Sequence, residues 1–481
     1  MKNYIILLMM MLAVFLVACD QIPTQIIETE PTLPNETPFV DYTKFYNSFG
    51  FSSLIVTDRT SLLSEVEDVY NEVQFLDALL DSTIKVIRIH EDLSMGIHEV
   101  TLKLEALGKS LVTYKDVYRE HNRQPLMHPT LIASGIGHIR IVQRNDLMIY
   151  SETGIKIKHA SFLIDGSSNI VFRNLHMSEL WEWDEWSNGK YDRNDWDYFT
   201  VQESKGIWFD HLTFDQAYDG IIDVKELSEH LTLSWSKLKF VQSDFIDEQM
   251  DYLEENIHDF TYYRSLRDQG ISVDDIKQYA SFQKKGFNLG NTTDGEGFEP
   301  ITMTFHHLDL KNLMDRMPRL RKGDVHLYHV ILDNEMIYDL QMKLNDQDIS
   351  FVNQGIVTTE QGNVLMEHSI FRYVSMPIKN HQDSNPDVKY TGSYQVINSE
   401  QIHSQQTYFG SSDDKNTKWI HSGASEPIPF HFRNYEELPY QYTLEDVFFL
   451  TQTFSSYPTG AQHLSTFDWL KIDESLHVKG E

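Results

Sequence analysis

Two pairs of aspartates have a spacing that suits a divalent cation. Asp195 and Asp197 in YDRNDWD, which also contains Asp192, are two residues apart and share one side of an extended chain. Asp219 and Asp223 in YDGIIDVKE are four positions apart. Hard cations, Ca²⁺ above all, take several carboxylate oxygens at about 2.3–2.6 Å. Each pair alone is more often a turn or a solvated edge, but their joint occurrence beside short strands favours a calcium site.

A second group of residues that could take part in binding or catalysis is basic. Arg316, Arg319 and Arg321 stand close together in DRMPRLRKGDVHLYH. Pro318 fixes its own φ and favours an extended Met317, so the arginines are not expected in a helix. Guanidinium groups bind carboxylates in bidentate fashion, and Arg316 and Arg321 are candidates for binding one anion. A solvated basic turn is the alternative interpretation of three arginines taken alone.

The segments that must position these residues contain a recurring phrase. It has apolar residues at offsets zero, two and seven, as in IVFRNLHM, IWFDHLTF and VHLYHVIL, and it starts at Ile170, Ile207, Leu231, Met303, Val325 and Val364. Alternation with a period of two predicts strands. A short strand phrase that returns at roughly 20–30 residues predicts a solenoid, in which each coil buries its apolar face against the next.

Three further segments interrupt or cap this repeat. Residues 64–80 have the apolar spacing of an amphipathic helix and are expected to cap the solenoid at its N-terminal end. Residues 242–283 have helical spacing and many acids, which predicts a helical insertion. Residues 440–475 are rich in aromatic side chains and are expected to form a C-terminal capping segment.

The composition limits the classes of partner. The 481 residues carry a formal net charge of -32 with a pI of about 4.9, and 41% are hydrophobic, which is enough for a sizeable core. A chain this acidic is not expected to bind nucleic acid, because such binding needs a broad cationic face. A polyanionic substrate stays possible if a few arginines and a metal ion hold it locally. A monomer is expected.

The N-terminus predicts export. Lys2 precedes an apolar run over residues 5–17, which ends at Cys19, the sole cysteine, in a pattern that resembles a bacterial lipobox. We therefore expect residues 1–19 to be a lipoprotein signal peptide, residues 20–45 a disordered tether, and residues 46–481 the folded domain. The protein would then be extracellular or at the cell surface, anchored to the membrane by lipid on Cys19. An ordinary signal peptide with a coincidental cysteine is the alternative.

Four stretches together resemble a known family. IWFDHLTF, YDGIIDVKELSEHLTLSW, MTFHHLDL and DRMPRLRKGDVHLYH resemble the signature stretches of pectate lyases of polysaccharide lyase family 1, over about residues 66–372. The resemblance implies an all-β fold, a right-handed parallel β-helix, which agrees with the repeat. It also implies β-elimination of α-1,4-polygalacturonate (pectate) with Ca²⁺, giving 4,5-unsaturated oligogalacturonates.

The resemblance assigns roles to residues one at a time. It implies that Arg316 accepts the proton and that Arg321 binds substrate. A second substrate-binding residue is Lys285 rather than Lys284, because of its spacing to Gly290. It implies that calcium is held by four acids, namely Asp195, Asp197, Asp219 and Asp223. Since a free guanidinium stays protonated until strongly alkaline pH, a base role for arginine predicts activity that rises above neutrality.

Departures from the family and competing functions are also visible. Leu308, His329 and Val330 stand where the family usually carries asparagine, so an internal asparagine ladder is expected to be interrupted. One alternative is a non-catalytic polysaccharide-binding β-helix. Another is a calcium-independent pectin lyase, which has no reason to keep four aspartates. A glycoside hydrolase would instead need two carboxylates flanking the bond.

Overall fold

The predicted strands stack in register, coil upon coil. Ile207 pairs with Ile170 on one side and with Leu231 on the other, and Met303 continues the same row. Val325 and Val364 extend the row. All six starting points of the sequence phrase therefore occupy one equivalent position, and the chain is a right-handed parallel β-helix, as the sequence predicted.

The computed structural model describes residues 50–55, 66–121, 124–225, 227–239, 243–290, 301–347, 349–380, 390–403, 406–409, 430–432, 435 and 437–462. The expected signal peptide, Cys19, the tether and residues 463–475 lie outside the described residues, so the predictions made for them stay predictions. Within the described ranges, no helix combines the length and the apolar character needed to cross a membrane.

Strands are numbered in chain order, and they form three ladders. The first face is one sheet: β4 (Tyr118–Glu120), β5 (Gly137–Val142), β8 (Ala160–Asp165), β11 (Phe199–Gln202), β14 (Ile222–Val224), β17 (Phe287–Leu289), β19 (Arg319–Arg321), β21 (Gln354–Thr359) and β24 (Met376–Lys379). Its pairings are parallel except for β4 with β5.

The second and third faces share two long strands, β18 (Thr302–Lys311) and β20 (Asp324–Asp333). The second face also has β1 (Val66–Val69), β2 (Val86–Ile89), β6 (Asn145–Tyr150), β9 (Ser168–Arg173), β12 (Lys205–Asp210), β15 (Glu229–Ser234), β22 (Asn363–Glu367) and β25 (Ser393–Ile397). The third has β3 (Leu93–Ser94), β7 (Lys156–Lys158), β10 (His176–Ser178), β13 (Thr213–Phe214), β16 (Lys237–Leu238), β23 (Ile370–Arg372), β26 (Glu400–His403) and the antiparallel β27 (Gln406–Phe409).

The helices lie at the ends of the solenoid and in its longer turns. They are α1 (Glu72–Leu80), α2 (Ile97–Ala106), α3 (Pro129–Ser134), α4 (Asp244–Glu255), α5 (Thr261–Asp268), α6 (Val273–Ala280), α7 (Glu335–Lys343) and α8 (Leu450–Ser456), with short 3₁₀ turns at Phe51–Leu54, Leu111–Tyr114 and Val447–Phe449. Helix α1 forms in the segment expected to cap the N-terminal end. Helices α4–α6 confirm the predicted helical insertion, which lies in the turn between β16 and β17.

The interior is filled by columns of apolar side chains contributed by successive coils. Phe172 and Phe209 are neighbours on the second face, with ring centroids 5.7 Å apart, and both rings contact Phe199 from the first face at 4.8 and 4.7 Å. Each such aromatic pair adds about 0.5–1.5 kcal/mol beyond the burial of its area. The inward positions of the repeat therefore supply the core that no single coil can form.

The turn between the second and third faces uses a left-handed residue in each of seven coils. These residues have φ between 42° and 56°: Asn174, His211, Trp235, His307, His329, His368 and Asn398. Asparagine and histidine tolerate this conformation better than most residues. Histidine and tryptophan side chains therefore occupy the turn positions at which the asparagine ladder is interrupted. In β18 the left-handed residue is His307, which precedes Leu308.

The C-terminal residues run across these turns. Tyr442 donates a hydrogen bond to Glu367 Oε2 at 2.7 Å, and the Glu445 amide donates one to His329 Nε2 at 2.8 Å. Further along, the Gln462 amide reaches Asn174 Oδ1 at 2.7 Å. Residues 440–462 therefore bind several coils at once.

The buried ring of His329 predicts acid sensitivity of folding. Burial, with the neighbouring His368, lowers the pKa of His329 to about 3. The unfolded chain, with an ordinary pKa near ~6.5, then binds the extra proton as pH falls from about 6.5 towards 3, so stability decreases in that window. Between pH 6.5 and 5 this single group costs about 1.5 kcal/mol. We expect His329→Asn, which keeps a residue suited to the left-handed turn, to lose less stability over this interval than the wild type.

Urea unfolding at the two pH values measures this difference. His258→Asn, at an exposed histidine, is the control and should show the wild-type loss. An identical loss in His329→Asn would refute the assignment of the acid sensitivity to this ring.

Candidate functional site

Most of the functional candidates lie where the first face begins, whereas Asp223 lies within β14 and Arg321 ends β19. Asp195 and Asp197 precede β11, Asp219 precedes β14, Lys285 precedes β17 and Arg316 precedes β19. These four strands are consecutive neighbours in one sheet. The stacking of coils therefore brings together residues that are more than a hundred positions apart in the sequence.

Three of the predicted metal ligands converge. Carboxylate oxygens of Asp195, Asp197 and Asp219 all lie within 4.8 Å of one another. Burial, with the charges of Asp219, Asp223 and Asp195, raises the pKa of Asp197 well above its usual range. Burial also raises the pKa of Asp219, against the opposing charges of Lys285 and Arg316. A cation at this cluster would offset both the burial and the carboxylate repulsion that raise these pKa values.

The donor set suits a hard cation. Asp219 Oδ1 is buried and lies 2.7 Å from Lys285 Nζ, so a cation would compete with that ammonium for this oxygen. The Gly220 amide donates to Asp197 Oδ1 at 2.7 Å and orients that carboxylate. Oxygen-only ligands from carboxylates are those that Ca²⁺ prefers. Asp195, Asp197 and Asp219 thus fit the calcium site that the resemblance implies.

Asp223 adjoins this group but lies outside the converging three. Its Oδ1 accepts a hydrogen bond from Asn288 Nδ2 at 2.9 Å, and its Oδ2 lies 3.3 Å from Lys225 Nζ. Burial alone would lower the pKa of Lys225, but the charges of Asp223, Asp195 and Asp197 outweigh it and raise the pKa. The structure therefore places Asp223 between the acid cluster and a neighbouring lysine.

Lys285 and Lys284 occupy different surroundings. Lys285 Nζ lies 2.7 Å from Asp219 Oδ1, beside the acid cluster. Lys284 is buried with its ammonium nitrogen 3.0 Å from the centroid of the Tyr279 ring, and burial lowers the pKa of Lys284 well below its usual range. The predicted substrate-binding lysine is thus the one placed in the site.

Arg316 stands in a left-handed turn beside the cluster. Its φ is 70°, its carbonyl accepts the Phe287 amide at 2.8 Å, and its Nε lies 3.7 Å from Asp315 Oδ2. A Cβ on Gly286 would come within 2.5 Å of the Arg316 carbonyl, so glycine is required for the close approach of these two turns. The backbone contacts of Arg316 fix its position, and the charge of its half-buried side chain acts on Asp219.

Arg321 is fixed more firmly. Its Nη1 donates to the Gly290 carbonyl at 2.9 Å and to Asn288 Oδ1 at 3.2 Å, and its Nε lies 3.8 Å from Glu360 Oε1. Burial, with the charge of nearby Arg319, lowers the pKa of Arg321 to about 10. Asn288 links Arg321 to Asp223, so the basic and acidic parts of the site form one hydrogen-bonded row across adjacent strands.

Sequence reasoning missed three members of the site. Lys225 follows Asp223 by two positions just after β14, and that spacing was the available signal. Asn288 lies beside Asp223 on the neighbouring strand β17, which no spacing within one strand indicates. Asp192 was noted but given no role, and the structure places its Oδ1 at 2.9 Å from Lys285 Nζ. That contact joins two turns from different coils, which no local pattern encodes.

A parallel β-helix that carries an acid cluster beside lysine and arginine on one face is the architecture of a polysaccharide lyase. The family model described as pectate lyase matches residues 138–255. Pectate lyase B of Paenibacillus amylolyticus is 34% identical over 360 residues, which span 70% of this chain and 89% of that protein. The chain belongs to the pectate lyase family.

Two further comparisons agree. A solved pectate lyase structure from Paenibacillus sp. 0602 superposes with a TM-score of 0.79 at 33% identity, covering 89% of this chain and 98% of the other. Pectate trisaccharide-lyase of Thermotoga maritima is 27% identical over 185 residues, which cover 38% of this chain and 39% of that protein.

The close approach of Gly220 to Asp197 allows a test of the acid cluster. A Cβ at this position would stand 2.5 Å from Asp197 Oδ1 and 3.0 Å from the Gly286 carbonyl. Gly220→Ala should therefore displace the Asp197 carboxylate and weaken calcium affinity by roughly 10–100-fold, the usual cost of disturbing a ligand's outer support. Isothermal titration with calcium chloride measures the change.

Gly270→Ala is the matched control for this variant. Gly270 has φ of 84° with open space around it, so alanine strains the backbone without touching the cluster. It should cost stability and leave calcium affinity unchanged. Wild-type calcium affinity in Gly220→Ala would contradict the proposed role of the Asp197 carboxylate.

Proposed function

We propose that this protein is a calcium-dependent lyase that cleaves α-1,4-polygalacturonate by β-elimination and releases 4,5-unsaturated oligogalacturonates. The carrying observation is that the carboxylates of Asp195, Asp197 and Asp219 converge within 4.8 Å at the start of the same sheet that presents Lys285, Arg316 and Arg321. In this acidic protein, these three basic residues supply the local positive charge that binding of a polyuronate requires.

The chemistry required is the removal of a weakly acidic proton. Breaking the C5–H bond places charge on the adjacent uronate carboxylate, after which the C4–O4 bond breaks, a C4–C5 double bond forms and the leaving oxygen takes up a proton. Groups that bind this carboxylate more strongly as its charge grows lower the barrier. Bound calcium would supply that electrostatic stabilisation from the aspartate cluster.

Side chains of the protein bind the substrate and accept its proton. Lys285 and Arg321 bind uronate carboxylate, for which the planar fork of Arg321 gives directional hydrogen bonds. Its ties to Asn288 and Gly290 hold that fork in place before substrate arrives. Arg316 accepts the C5 proton. Its backbone-anchored turn brings the guanidinium to the cluster without a rigid side-chain hydrogen bond to the acids.

A calcium-depletion assay tests the proposal directly. Incubation with polygalacturonate should give ultraviolet absorbance from the unsaturated product, and EGTA should abolish it. Calcium added in excess should restore the rate. Cleavage of methylated pectin that resists EGTA would select a pectin lyase instead, and binding of polygalacturonate without product would select a non-catalytic binder.

The base assignment is tested by its pH dependence. Arg316→Ala should lower kcat by roughly 10²–10⁴-fold, the usual worth of a positioned base, while the protein still binds calcium. The wild-type rate should rise with pH well above neutrality, because a free guanidinium is protonated at neutral pH. A pH optimum at or below about 6 would rule out Arg316 as the base. Arg264→Ala, on α5, removes a guanidinium outside the site as the control.

A further inference from the structure

The ammonium group of Lys285 contacts three oxygen atoms of the described residues. Its Nζ donates to the Tyr191 carbonyl at 2.7 Å and to Asp192 Oδ1 at 2.9 Å. It also makes an ion pair with Asp219 Oδ1 at 2.7 Å. The lysine side chain is 14% exposed, whereas that of Asp192 is 61% exposed. Two contacts thus come from one loop, residues 184–192, and the third comes from a proposed calcium ligand.

The holding loop is itself fixed from within. Asp184, which is fully buried, accepts hydrogen bonds from the Tyr191 amide at 2.8 Å and from the Tyr218 hydroxyl at 2.9 Å. It also accepts the Ser187 amide at 3.1 Å. The backbone that presents Tyr191 and Asp192 is therefore anchored by a carboxylate with several partners.

The helical insertion supports the same loop from outside. Glu185 accepts the amides of Tyr262 and Tyr263 in the first turn of α5, at 2.5 and 3.1 Å. The Trp183 ring stacks on Tyr262 with centroids 5.5 Å apart. Gly189, with φ of 71°, leaves room for the Tyr262 hydroxyl, which would lie 2.9 Å from a Cβ there. The insertion thus packs against the loop that contacts Lys285.

These contacts create a competition at Asp219. An ammonium paired with Asp219 Oδ1 neutralises the oxygen that a calcium ion would bind. Two cations sharing one carboxylate repel each other, so the ammonium must shift when calcium enters. The Tyr191 carbonyl and Asp192 are the partners that can keep it near the site after that shift.

We propose that Asp192 is a positioning residue that holds Lys285 ready for the uronate carboxylate and draws its ammonium away from Asp219 when calcium binds. This inference rests on the proposed function. It also gives the insertion a role, since α5 supports the loop that carries Asp192. Because Asp192 is largely exposed, the effect of removing it should be modest, roughly two- to fivefold.

A double-mutant cycle tests the coupling. Asp192→Ala, Lys285→Ala and the double variant are titrated with calcium chloride in the absence of substrate, and KM for polygalacturonate is measured in parallel. Asp192→Ala should weaken calcium binding and raise KM, each by roughly two- to fivefold. Lys285→Ala should tighten calcium binding, because it removes the competing ammonium, while it lowers kcat/KM. In the Lys285→Ala background, Asp192→Ala should have no further effect on calcium affinity.

Asp259→Ala is the matched control, because it removes the same charge from an exposed position of the insertion that makes no contact with Lys285. It should leave calcium affinity and KM unchanged. An Asp192→Ala effect of equal size in both backgrounds would overturn the positioning role. Normal calcium binding without that coupling defeats this inference alone, whereas a wild type that binds no calcium defeats the proposed function as well.

Discussion

The in-register stacking of parallel coils is the constraint on which the rest of the structure depends. Each residue of a strand lies beside its counterpart in the next coil, as Ile207 does between Ile170 and Leu231. Apolar positions become continuous interior columns, and polar positions become outward rows. The same rule that forms the core therefore aligns the beginnings of β11, β14, β17 and β19, where the site lies. A shift of one residue in any coil would exchange inward and outward side chains.

The site is a balance of opposite charges in a chain of net charge -32. Asp197 and Asp223 are buried, and their charges act on one another and on Lys225. Lys285 pairs with Asp219, and Arg321 is tied to the same row through Asn288. Without such pairing, a group of buried carboxylates would be strongly unfavourable. The same pairing gathers the groups on which the proposed calcium-dependent cleavage of a polyuronate depends.

The turns between β-helix faces differ in what they do. The turns between the second and third faces are short and form the row of left-handed residues that the C-terminal segment covers. The turns that lead into the first face are long, and they carry both the acid-bearing loop and the helical insertion. Because Glu185 joins that loop to α5, the insertion is structurally part of the site.

The sequence alone determined the strand repeat, because alternation and spacing are local properties, and it indicated the helical insertion for the same reason. It also singled out Asp195, Asp197, Asp219, Lys285 and Arg316, through residue type and the resemblance to the family. Only the tertiary structure decided that three acids converge while Asp223 lies to one side between Asn288 and Lys225. Only it showed that Asp192 contacts Lys285. Those contacts join different coils, and their distances depend on the path of each long turn, which no local pattern of residues specifies.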